Sequence, residues 1–381
     1  MTELLLRKAE KSAILKKNKV LVIYGPRRTG KTTLMNNILK NSGEKYLINT
    51  GDDVFIQEIL NSRTLNKISP HLEGYSIYAI DEAHEIKNIG QALKLIVDNI
   101  PDISVVITGS SSFTIEQSTG REPLTGRKKT LTLLPFSQEE LKQVYNTGEL
   151  KRRLDEFLIF GSYPEVVLSN SIMDKVEVIT EITGSYILKD ILAFGGLRGS
   201  NKILDLLKLL AFRIGNEVSF NELSISLGID VKTVSSYIDL LEKSFILKKI
   251  TPYSANLRSE ITSKNKYYFI DNGIRNGVIS QFQSLKNRND AGQLFENFIV
   301  TELIKNNENR RMFNQFYFWR TYAGQEIDII RIENGVLFPV EIKYNSKKKV
   351  KLPNKWVENY KSEPLTVINN ENYLEYLLNI T

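Results

Sequence analysis

The chain of 381 residues contains no cysteine and only two histidines, His71 and His84. The lack of cysteine excludes a disulfide framework and a cysteine nucleophile. Two imidazoles argue against a structural zinc site. No apolar run approaches the ~18 residues needed to span a membrane, and residues 1–8 lack the apolar centre of a signal peptide. We therefore expect a cytoplasmic protein that makes no use of a membrane.

The overall composition is that of a soluble globular protein. Hydrophobic residues make up 41% and charged residues 25% of the chain, and the length allows about two or three domains. The net charge of +7 is modest for this length. It permits a polyanionic partner such as DNA or RNA without requiring one.

A glycine-containing loop near the N-terminus carries the clearest chemical signal. The apolar run Val20–Tyr24 predicts a buried strand, the pattern G-x-x-x-x-G-K-T follows at once, and a helix-like run begins after it. This order is the one that a phosphate-binding loop requires, because its backbone N–H groups cradle phosphates at a helix N-terminus. The residues predicted to bind ATP here are Gly25, Pro26, Arg27, Arg28, Thr29, Gly30, Lys31, Thr32 and Thr33.

Within this loop two side chains have distinct predicted roles. Lys31 is expected to reach the β- and γ-phosphates and to act in catalysis, and the Thr32 hydroxyl is expected to ligate Mg²⁺. Further along, a predicted strand ends in Asp81 and Glu82. Asp81 would complete the Mg²⁺ shell and Glu82 would orient or deprotonate the attacking water. An Asp-Glu pair at an ordinary helix start is the alternative, and its distance after the phosphate loop favours the catalytic interpretation.

The first part of the chain alternates strands and helices, which predicts an α/β fold with a mainly parallel sheet. Ligands of such sheets bind at the carboxyl ends of the strands. Thr108, at the end of the fourth strand, is a further candidate for ATP contact; a simple capped loop around residues 109–111 is the open alternative. The elements predicted besides Val20–Tyr24 are strands over residues 45–49, 76–80, 103–108 and 130–134 and helices over residues 3–17, 33–41 and 88–99.

Asp81-Glu82-Ala83-His84 also occurs in helicases, but nothing after residue 135 supplies the second ATPase lobe that such a helicase needs. Residues 124–137 (LTGRKKTLTLLPFS) and 160–167 (FGSYPEVV) instead resemble a family of AAA+-type ATPases common in archaea and bacteria. The resemblance implies that Arg127 senses or neutralises the γ-phosphate, in its own chain or in a second copy. A trans role would imply a homo-oligomer. Arg27, Arg28 and Arg121 remain competitors for this role.

The same resemblance implies a small helical lid over residues 138–200. Residues 186–191 are similar to the segment that introduces the family's C-terminal domain of unknown function, and residues 195–200 are the best linker candidate. Residues 201–265 read as a winged helix, with helices over 203–214, 223–227 and 231–243 and wing strands over 245–250 and 266–270. Because the groove-facing helix carries Asp230, Asp239 and Glu242, we favour a structural or protein-contact role over DNA readout.

The last segment, residues 266–381, holds a second group of acidic residues. Glu296 lies on a predicted amphipathic helix that starts at Gln293, and Asp328 and Glu341 lie on two strands joined by an Asn-Gly turn. Glu341 and Lys343 are two apart, so they project from one face of a strand. Two carboxylates and a lysine on one face suit a phosphodiesterase, with Asp328 and Glu341 binding Mg²⁺ and Lys343 activating water.

This order resembles the PD-(D/E)XK nuclease core, and the resemblance implies that Glu296 is a further metal ligand. An ordinary half-exposed strand is the alternative for the Glu-x-Lys pattern, and a nuclease-like fold does not by itself guarantee cleavage. The lysines at 347–349, 351 and 355, with Tyr344 and Trp356, either track a nucleic-acid backbone or form a solvated face.

Together these features predict four parts: a P-loop ATPase core over residues 1–137, a helical lid over 138–200, a winged helix over 201–265 and a nuclease-like domain over 266–381. The functional prediction is an ATP-hydrolysing switch or motor coupled to nucleic-acid processing. The alternative is a regulatory ATPase whose C-terminal domain is a catalytically silent, protein-binding scaffold.

Overall fold

The computed structural model describes residues 5–110, 124–186, 200–254, 264–345 and 350–379. The chain divides into two compact units. The first consists of Met1–Leu134 with Lys243–Phe245, and the second of Pro135–Glu242 with Ile246–Thr381. Residues 187–199 and 346–349, with the predicted linker and the lysine triplet, lie outside the described residues, as do Arg121 and Ser111.

The first unit contains a five-stranded sheet in the order β2-β3-β4-β1-β5. Every strand pair in it is parallel, which confirms the predicted α/β fold with a parallel sheet. All strands were predicted to within two residues at each end. The strands are β1 (Val20–Tyr24), β2 (Tyr46–Thr50), β3 (Ile77–Asp81), β4 (Ser104–Gly109) and β5 (Lys128–Thr132), and the helices are α1 (Lys31–Ser42), α2 (Val54–Asn61), α3 (Leu65–Leu72) and α4 (Ile89–Asn99).

The sheet is covered on both faces, because β1 and β4 are buried along their whole length. Val22 and Tyr24 face a cluster that includes residues of α2, α3 and α4. Leu21 and Ile23, which point the other way, pack with α1. The parallel arrangement places the carboxyl ends of β1, β3 and β4 at one edge, where the predicted ATP-binding residues follow.

The helix predicted over residues 3–17 is wrong. Over the described part of this segment only a short 3₁₀ turn forms, at Lys8–Ser12. Ala9 and Ala13 are buried, but Ile14, which the prediction counted as part of an inward stripe, is 59% exposed. Without a continuous apolar face, packing does not stabilise a longer helix.

The second unit contains a seven-stranded mixed sheet in the order β12-β11-β10-β9-β7-β8-β6. The strands are β6 (Glu217–Val218), β7 (Leu247–Pro252), β8 (Asn265–Phe269), β9 (Gln315–Arg320), β10 (Glu326–Glu333), β11 (Val336–Ile342) and β12 (Thr366–Ile368). The helices are α5 (Gln138–Leu141), α6 (Thr147–Arg152), α7 (Leu154–Phe160), α8 (Pro164–Leu168), α9 (Ile172–Glu181), α10 (Ser200–Phe212), α11 (Phe220–Leu227), α12 (Val231–Lys243), α13 (Asn272–Val278), α14 (Ala291–Arg310), α15 (Asn354–Asn359) and α16 (Tyr373–Asn379).

The two predicted wing strands, β7 and β8, pair antiparallel with each other. However, β7 also pairs in parallel with β9, so they continue into the sheet that holds Asp328 and Glu341. The predicted division between residues 265 and 266 falls inside β8. Shared backbone hydrogen bonds thus join the predicted winged-helix and nuclease-like parts in one sheet.

The helix α14 is not amphipathic, contrary to the prediction. Buried residues lie all around it, including the charged pair Glu302 and Lys305. Lys305 Nζ donates to Glu302 Oε1 at 2.9 Å, to Ser162 Oγ at 2.9 Å and to Phe136 O at 3.1 Å, and Gln138 N donates to Glu302 Oε2 at 2.7 Å. The two sequence motifs on which the family resemblance depended, residues 124–137 and 160–167, therefore contribute hydrogen bonds that dock this central helix.

Candidate nucleotide-binding site and acidic cluster

The phosphate loop lies between the end of β1 and the start of α1. At its beginning, Gly25 has φ +152°, and a Cβ there would lie 2.1 Å from the carbonyl oxygen of Leu133. That contact follows from the neighbouring strand connection, because Leu133 N donates to Tyr24 O at 2.7 Å. At its end, Gly30 has φ +87° and leads directly into Lys31, the first residue of α1. Both ends of the loop therefore require glycine.

Lys31 is 4% exposed and its ammonium group lies inside the curl of the loop. Its Nζ donates to Pro26 O at 2.9 Å and to Gly25 O at 3.1 Å. The buried Arg7 supports the loop, since its Nη1 donates to Thr29 O at 2.9 Å. No sequence pattern indicated Arg7, which precedes the motif and has no recognisable spacing to it. The loop backbone is thus held by Lys31 from inside its curl and by Arg7 at Thr29.

Three predicted side chains meet beside this loop. Thr32 Oγ1 donates to Asp81 Oδ2 at 2.8 Å, and Thr108 Oγ1 donates to Asp81 Oδ1 at 2.5 Å. The backbone N–H of Glu82 donates to the same Thr108 oxygen at 2.9 Å. Thr108 therefore orients both acidic residues of the motif. The hydroxyl of Thr32 and the carboxylate of Asp81 are oxygen ligands of the kind that Mg²⁺ prefers, so these residues fit that ion.

Glu82 has a left-handed backbone, with φ 49° and ψ 41°. Burial raises the pKa of its carboxyl, while Lys31 and Arg27 act in the opposite direction. Its Oε2 lies 3.2 Å from Nδ1 of His84, and Nε2 of His84 lies 3.1 Å from Ser110 Oγ. The sequence contained both residues, but no pattern indicated that His84 would lie between Glu82 and the end of β4.

Of the two roles left open for Arg127, the structure disfavours one toward the nucleotide of its own chain. Its carbonyl accepts from Val20 N at the beginning of β1, whereas the phosphate loop follows the end of that strand. The five residues of β1 correspond to about 16 Å. Arg127 Nε instead lies 2.5 Å from Asp98 Oδ1. A role toward a second copy stays a prediction.

The other described arginine candidates lie in the loop itself. Arg27 Nη2 is 3.9 Å from Glu85 Oε1, and Arg28 has a left-handed backbone with φ 61°. The positive charge of Arg27 lowers the pKa of the Glu82 carboxyl, so Arg27 acts electrostatically on the proposed catalytic acid.

In the second unit the hairpin of β10 and β11 brings three predicted residues together. The turn between the strands has positive φ at Asn334 and Gly335, as the Asn-Gly signal predicts. Lys343 Nζ lies 2.7 Å from Glu341 Oε1 and 3.3 Å from Asp328 Oδ2. Asp328 Oδ2 also accepts from Ile342 N at 2.8 Å. Asp328 and Glu341 thus share one lysine.

Glu296, the fourth predicted residue, has different neighbours. Its Oε1 accepts from Tyr268 OH at 2.7 Å and lies 3.6 Å from Nζ of Lys266. The same ammonium group lies 2.6 Å from Glu326 Oε1 and is 1% exposed. Burial raises the pKa of Glu296 to about 7, and Asp328 adds to this effect, while Lys266 opposes it. Lys266 was not among the predicted site residues, although a lysine inside the apolar run of β8 is a signal for a buried ion pair.

These contacts correct the predicted metal site. Within the described part of the chain, which includes Glu296, Asp328 and Glu341, no group of three or more acidic or histidine side chains is arranged to hold a metal ion. The carboxylates are neutralised by Lys266 and Lys343. The three-carboxylate metal site predicted from the sequence is therefore not formed among these described residues.

The predicted contact of Trp356 with nucleic acid is wrong. Trp356 is 0% exposed and packs against Trp319 and Tyr360. Tyr344 is half-buried, with its hydroxyl donating to Asp155 Oδ1 at 2.9 Å and its ring against Phe295. The ring of Trp356 is therefore not available to stack on a base, and a contact through Tyr344 stays a prediction. The nearby lysines are unaffected by this correction, and those at 351 and 355 are exposed.

Three family models match separate parts of the chain. Residues 17–142 match the model described as an AAA domain. Residues 151–285 and 291–379 match two models that are each described as a domain of unknown function. None of the helices in the described ranges combines the length and apolar character that crossing a membrane would need.

Similar proteins occur in an archaeon and in bacteria. The uncharacterized protein MJ1544 of Methanocaldococcus jannaschii is 26% identical over 354 residues, which cover 87% of this chain and 76% of the relative. An uncharacterized protein of Haemophilus influenzae is 25% identical over 308 residues, covering 75% of this chain and 74% of the relative.

Solved structures give weaker likenesses. The Walker-type ATPase PABY2304 of Pyrococcus abyssi aligns with a TM-score of 0.48 and 14% identity over 71% of this chain and 94% of that one. The RuvB Holliday junction branch migration motor of Thermotoga maritima aligns with a TM-score of 0.29 and 17% identity over 64% and 87%. At these values no conclusion about this chain rests on them. The AAA domain match over residues 17–142 and the geometry around Lys31 support a P-loop ATPase-type, nucleotide-binding function.

Proposed function

We propose that this protein is an ATP-hydrolysing switch or motor coupled to a nuclease-like, nucleic-acid-processing C-terminal part. The observation that carries the ATPase proposal is the meeting of Thr32, Asp81 and Thr108 through hydrogen bonds of 2.5–2.8 Å beside the loop that holds Lys31. Asp81 and Thr108 lie at the ends of β3 and β4 and Thr32 lies in the first turn of α1, and their convergence matches what triphosphate hydrolysis requires. The proposed division of the chain is an ATPase core over residues 1–137, a lid over 138–200, a winged helix over 201–265 and a nuclease-like part over 266–381.

The proposed roles follow from position and charge. Lys31 neutralises the β- and γ-phosphates, and the N–H groups of the loop bind their oxygens. Thr32 and Asp81 would hold Mg²⁺, which supplies charge neutralisation at the phosphates. Glu82 orients the attacking water, and its raised pKa brings it closer to the range of an effective general base. Thr108 keeps Asp81 and Glu82 in fixed relation.

Lys31→Ala tests the ATPase proposal. We expect at least a ~100-fold loss of ATP turnover, because a positioned charge at the transferred phosphate is removed. The matched control is Lys40→Ala, an exposed lysine on the same helix, which leaves turnover unchanged. ATP turnover is measured by phosphate release with Mg²⁺ present. Unchanged hydrolysis in Lys31→Ala would remove the ATPase assignment.

The second unit has two candidate functions, each favoured by an observation. The shared contact of Asp328, Glu341 and Lys343 favours a nuclease-like site. The ion pairs of Lys266 and Lys343, with no three-carboxylate metal site among the described residues, favour a catalytically silent scaffold that binds protein. The ATPase would then act as a regulatory switch on that scaffold.

A scission assay separates these candidates. Purified protein is incubated with ATP, with Mg²⁺ or Mn²⁺, and with single-stranded or duplex DNA or RNA. The nuclease proposal expects cutting that disappears in Asp328→Ala and in Lys343→Ala but persists in Lys351→Ala, which removes an exposed lysine nearby. The absence of cutting on every substrate would leave the scaffold as the function of this unit.

A further inference from the structure

His84 is a buried imidazole whose two nitrogens face different parts of the proposed ATPase site. It is 9% exposed and lies in the short turn Ala83–Glu85, two residues after Glu82. Its Nδ1 lies 3.2 Å from Glu82 Oε2 and its Nε2 lies 3.1 Å from Ser110 Oγ. Ser110 directly follows β4, whose Thr108 contacts the neighbouring acid Asp81.

The surroundings of Glu82 indicate why this contact matters. Its backbone is held in a sparsely populated left-handed conformation, and its N–H is fixed by Thr108. Fixing the backbone does not fix the side-chain torsions of Glu82, which depend on the contacts of its carboxylate. His84 contacts its carboxylate from within the same turn. The backbone of Glu82 is thus fixed by one strand end, while its carboxylate lies at ion-pair distance from the imidazole.

A second contact connects His84 to the phosphate loop. Its Nε2 lies 3.5 Å from Glu85 Oε1, and the same oxygen lies 3.9 Å from Nη2 of Arg27. Arg27 belongs to the loop between Gly25 and Lys31. His84 therefore lies between the loop, the Glu82 carboxylate and the end of β4.

We propose that His84 is a positioning residue. It holds the Glu82 carboxylate where that group can orient the attacking water, and Ser110 contacts the other side of the imidazole. The inference rests on the proposed ATP hydrolysis. It assigns a role in the chemical step and none in nucleotide binding. Misplacing a catalytic group by about 1 Å costs up to about 100-fold in rate.

The test compares three substitutions at this position. His84→Ala is expected to lower kcat about 10- to 100-fold with KM for ATP and the affinity for a non-hydrolysable ATP analogue unchanged. His84→Asn keeps a polar group near the position of Nδ1 and restores part of the rate. His84→Gln places its polar group near Nε2, away from Glu82, and restores less. His71→Ala, which removes the other histidine, leaves kcat unchanged.

A double substitution shows whether His84 acts through Glu82. In a Glu82→Gln background, adding His84→Ala is expected to cause no further loss of kcat, because the group it positions is already gone. Additive losses would overturn the inference, as would an unchanged kcat in His84→Ala or a change confined to KM. Wild-type turnover that Lys31→Ala does not affect would instead defeat the ATPase proposal itself. His84→Asn keeps the test valid if His84→Ala does not fold.

Discussion

Glu296 shows how the neighbours of a residue determine its protonation and its possible role. On α14 it has the position of a helix acid in a metal-dependent nuclease, but its carboxylate contacts the hydroxyl of Tyr268 and the buried ammonium of Lys266. Gly215 leaves the room for it, since a Cβ there would lie 3.2 Å from either carboxylate oxygen. Burial therefore favours the protonated acid at a pH where an exposed glutamate is fully ionised.

A pH-dependent stability follows from this site. The pKa of Glu296 rises from 4.5 to about 7 on folding, so the folded state binds more protons than the unfolded state between these values. Stability is then highest at the acidic end of this window and falls as the pH rises through about 7. Relative to Glu296→Gln, which resembles the protonated form, the wild type is expected to lose at most about 3 kcal/mol between about pH 5 and pH 8.

Denaturant unfolding followed by tryptophan fluorescence measures this difference. The chain has two tryptophans, Trp319 and Trp356, and both belong to the second unit. The signal therefore reports the unit that contains Glu296. A difference in unfolding free energy that stays constant with pH would show that Glu296 is ionised throughout.

At the scale of single elements, the central helix α14 depends on one buried ion pair. Glu302 accepts from Gln138 N and from Lys305 Nζ, and all three partners are buried. Removing one partner of a buried ion pair costs more free energy than the pair itself contributes to stability, because the remaining charge stays buried without compensation. Local sequence pattern suggested a helix with one apolar face here, but the polar residues on its other faces are paired inside the unit.

Glu302→Ala is expected to lower the free energy of unfolding of the second unit by about 3–5 kcal/mol, because Lys305 stays buried without its carboxylate. Glu308→Ala, on an exposed position of the same helix, is the control and is expected to change it by less than about 0.5 kcal/mol. Tryptophan fluorescence during denaturant unfolding again supplies the measurement. Equal effects of the two substitutions would contradict the importance of this pair.

Elements whose signals are local were predicted well. The apolar run of β1, the glycines after it and the start of α1 are contiguous. The adjacent residues Asn334 and Gly335 form the turn that sets the β10–β11 hairpin. The helix predicted over residues 3–17 failed because its apolar residues do not share one buried face. The predicted wing strands exist, but β7 found a further partner in β9, which no local pattern encodes.

At the scale of the whole molecule, the net charge of +7 allows binding to DNA or RNA. If the second unit contacts phosphates, the logarithm of the binding constant falls with the logarithm of the salt concentration by about 0.9 for each phosphate neutralised. We expect such a slope, and we expect Lys351→Ala and Lys355→Ala each to reduce it by up to about 1. Binding titrations of duplex and single-stranded DNA at several salt concentrations measure it.

The control for this experiment is Lys40→Ala in the first unit, which should leave the slope unchanged. A flat salt response would mean that the interaction does not involve phosphates. That result would favour the protein-binding scaffold over nucleic-acid processing.

By itself, the sequence determined the phosphate loop, the strands around it and the acids that follow it, because each is encoded by neighbouring residues with a fixed chemistry. Tertiary structure alone decided which side chains those residues meet. It placed Arg127 at the far end of β1 from the loop, His84 between Glu82 and Ser110, and Lys266 beside Glu296. Such pairings depend on strand order and on the exclusion of water from buried charges, and neither can be read from spacing along the chain.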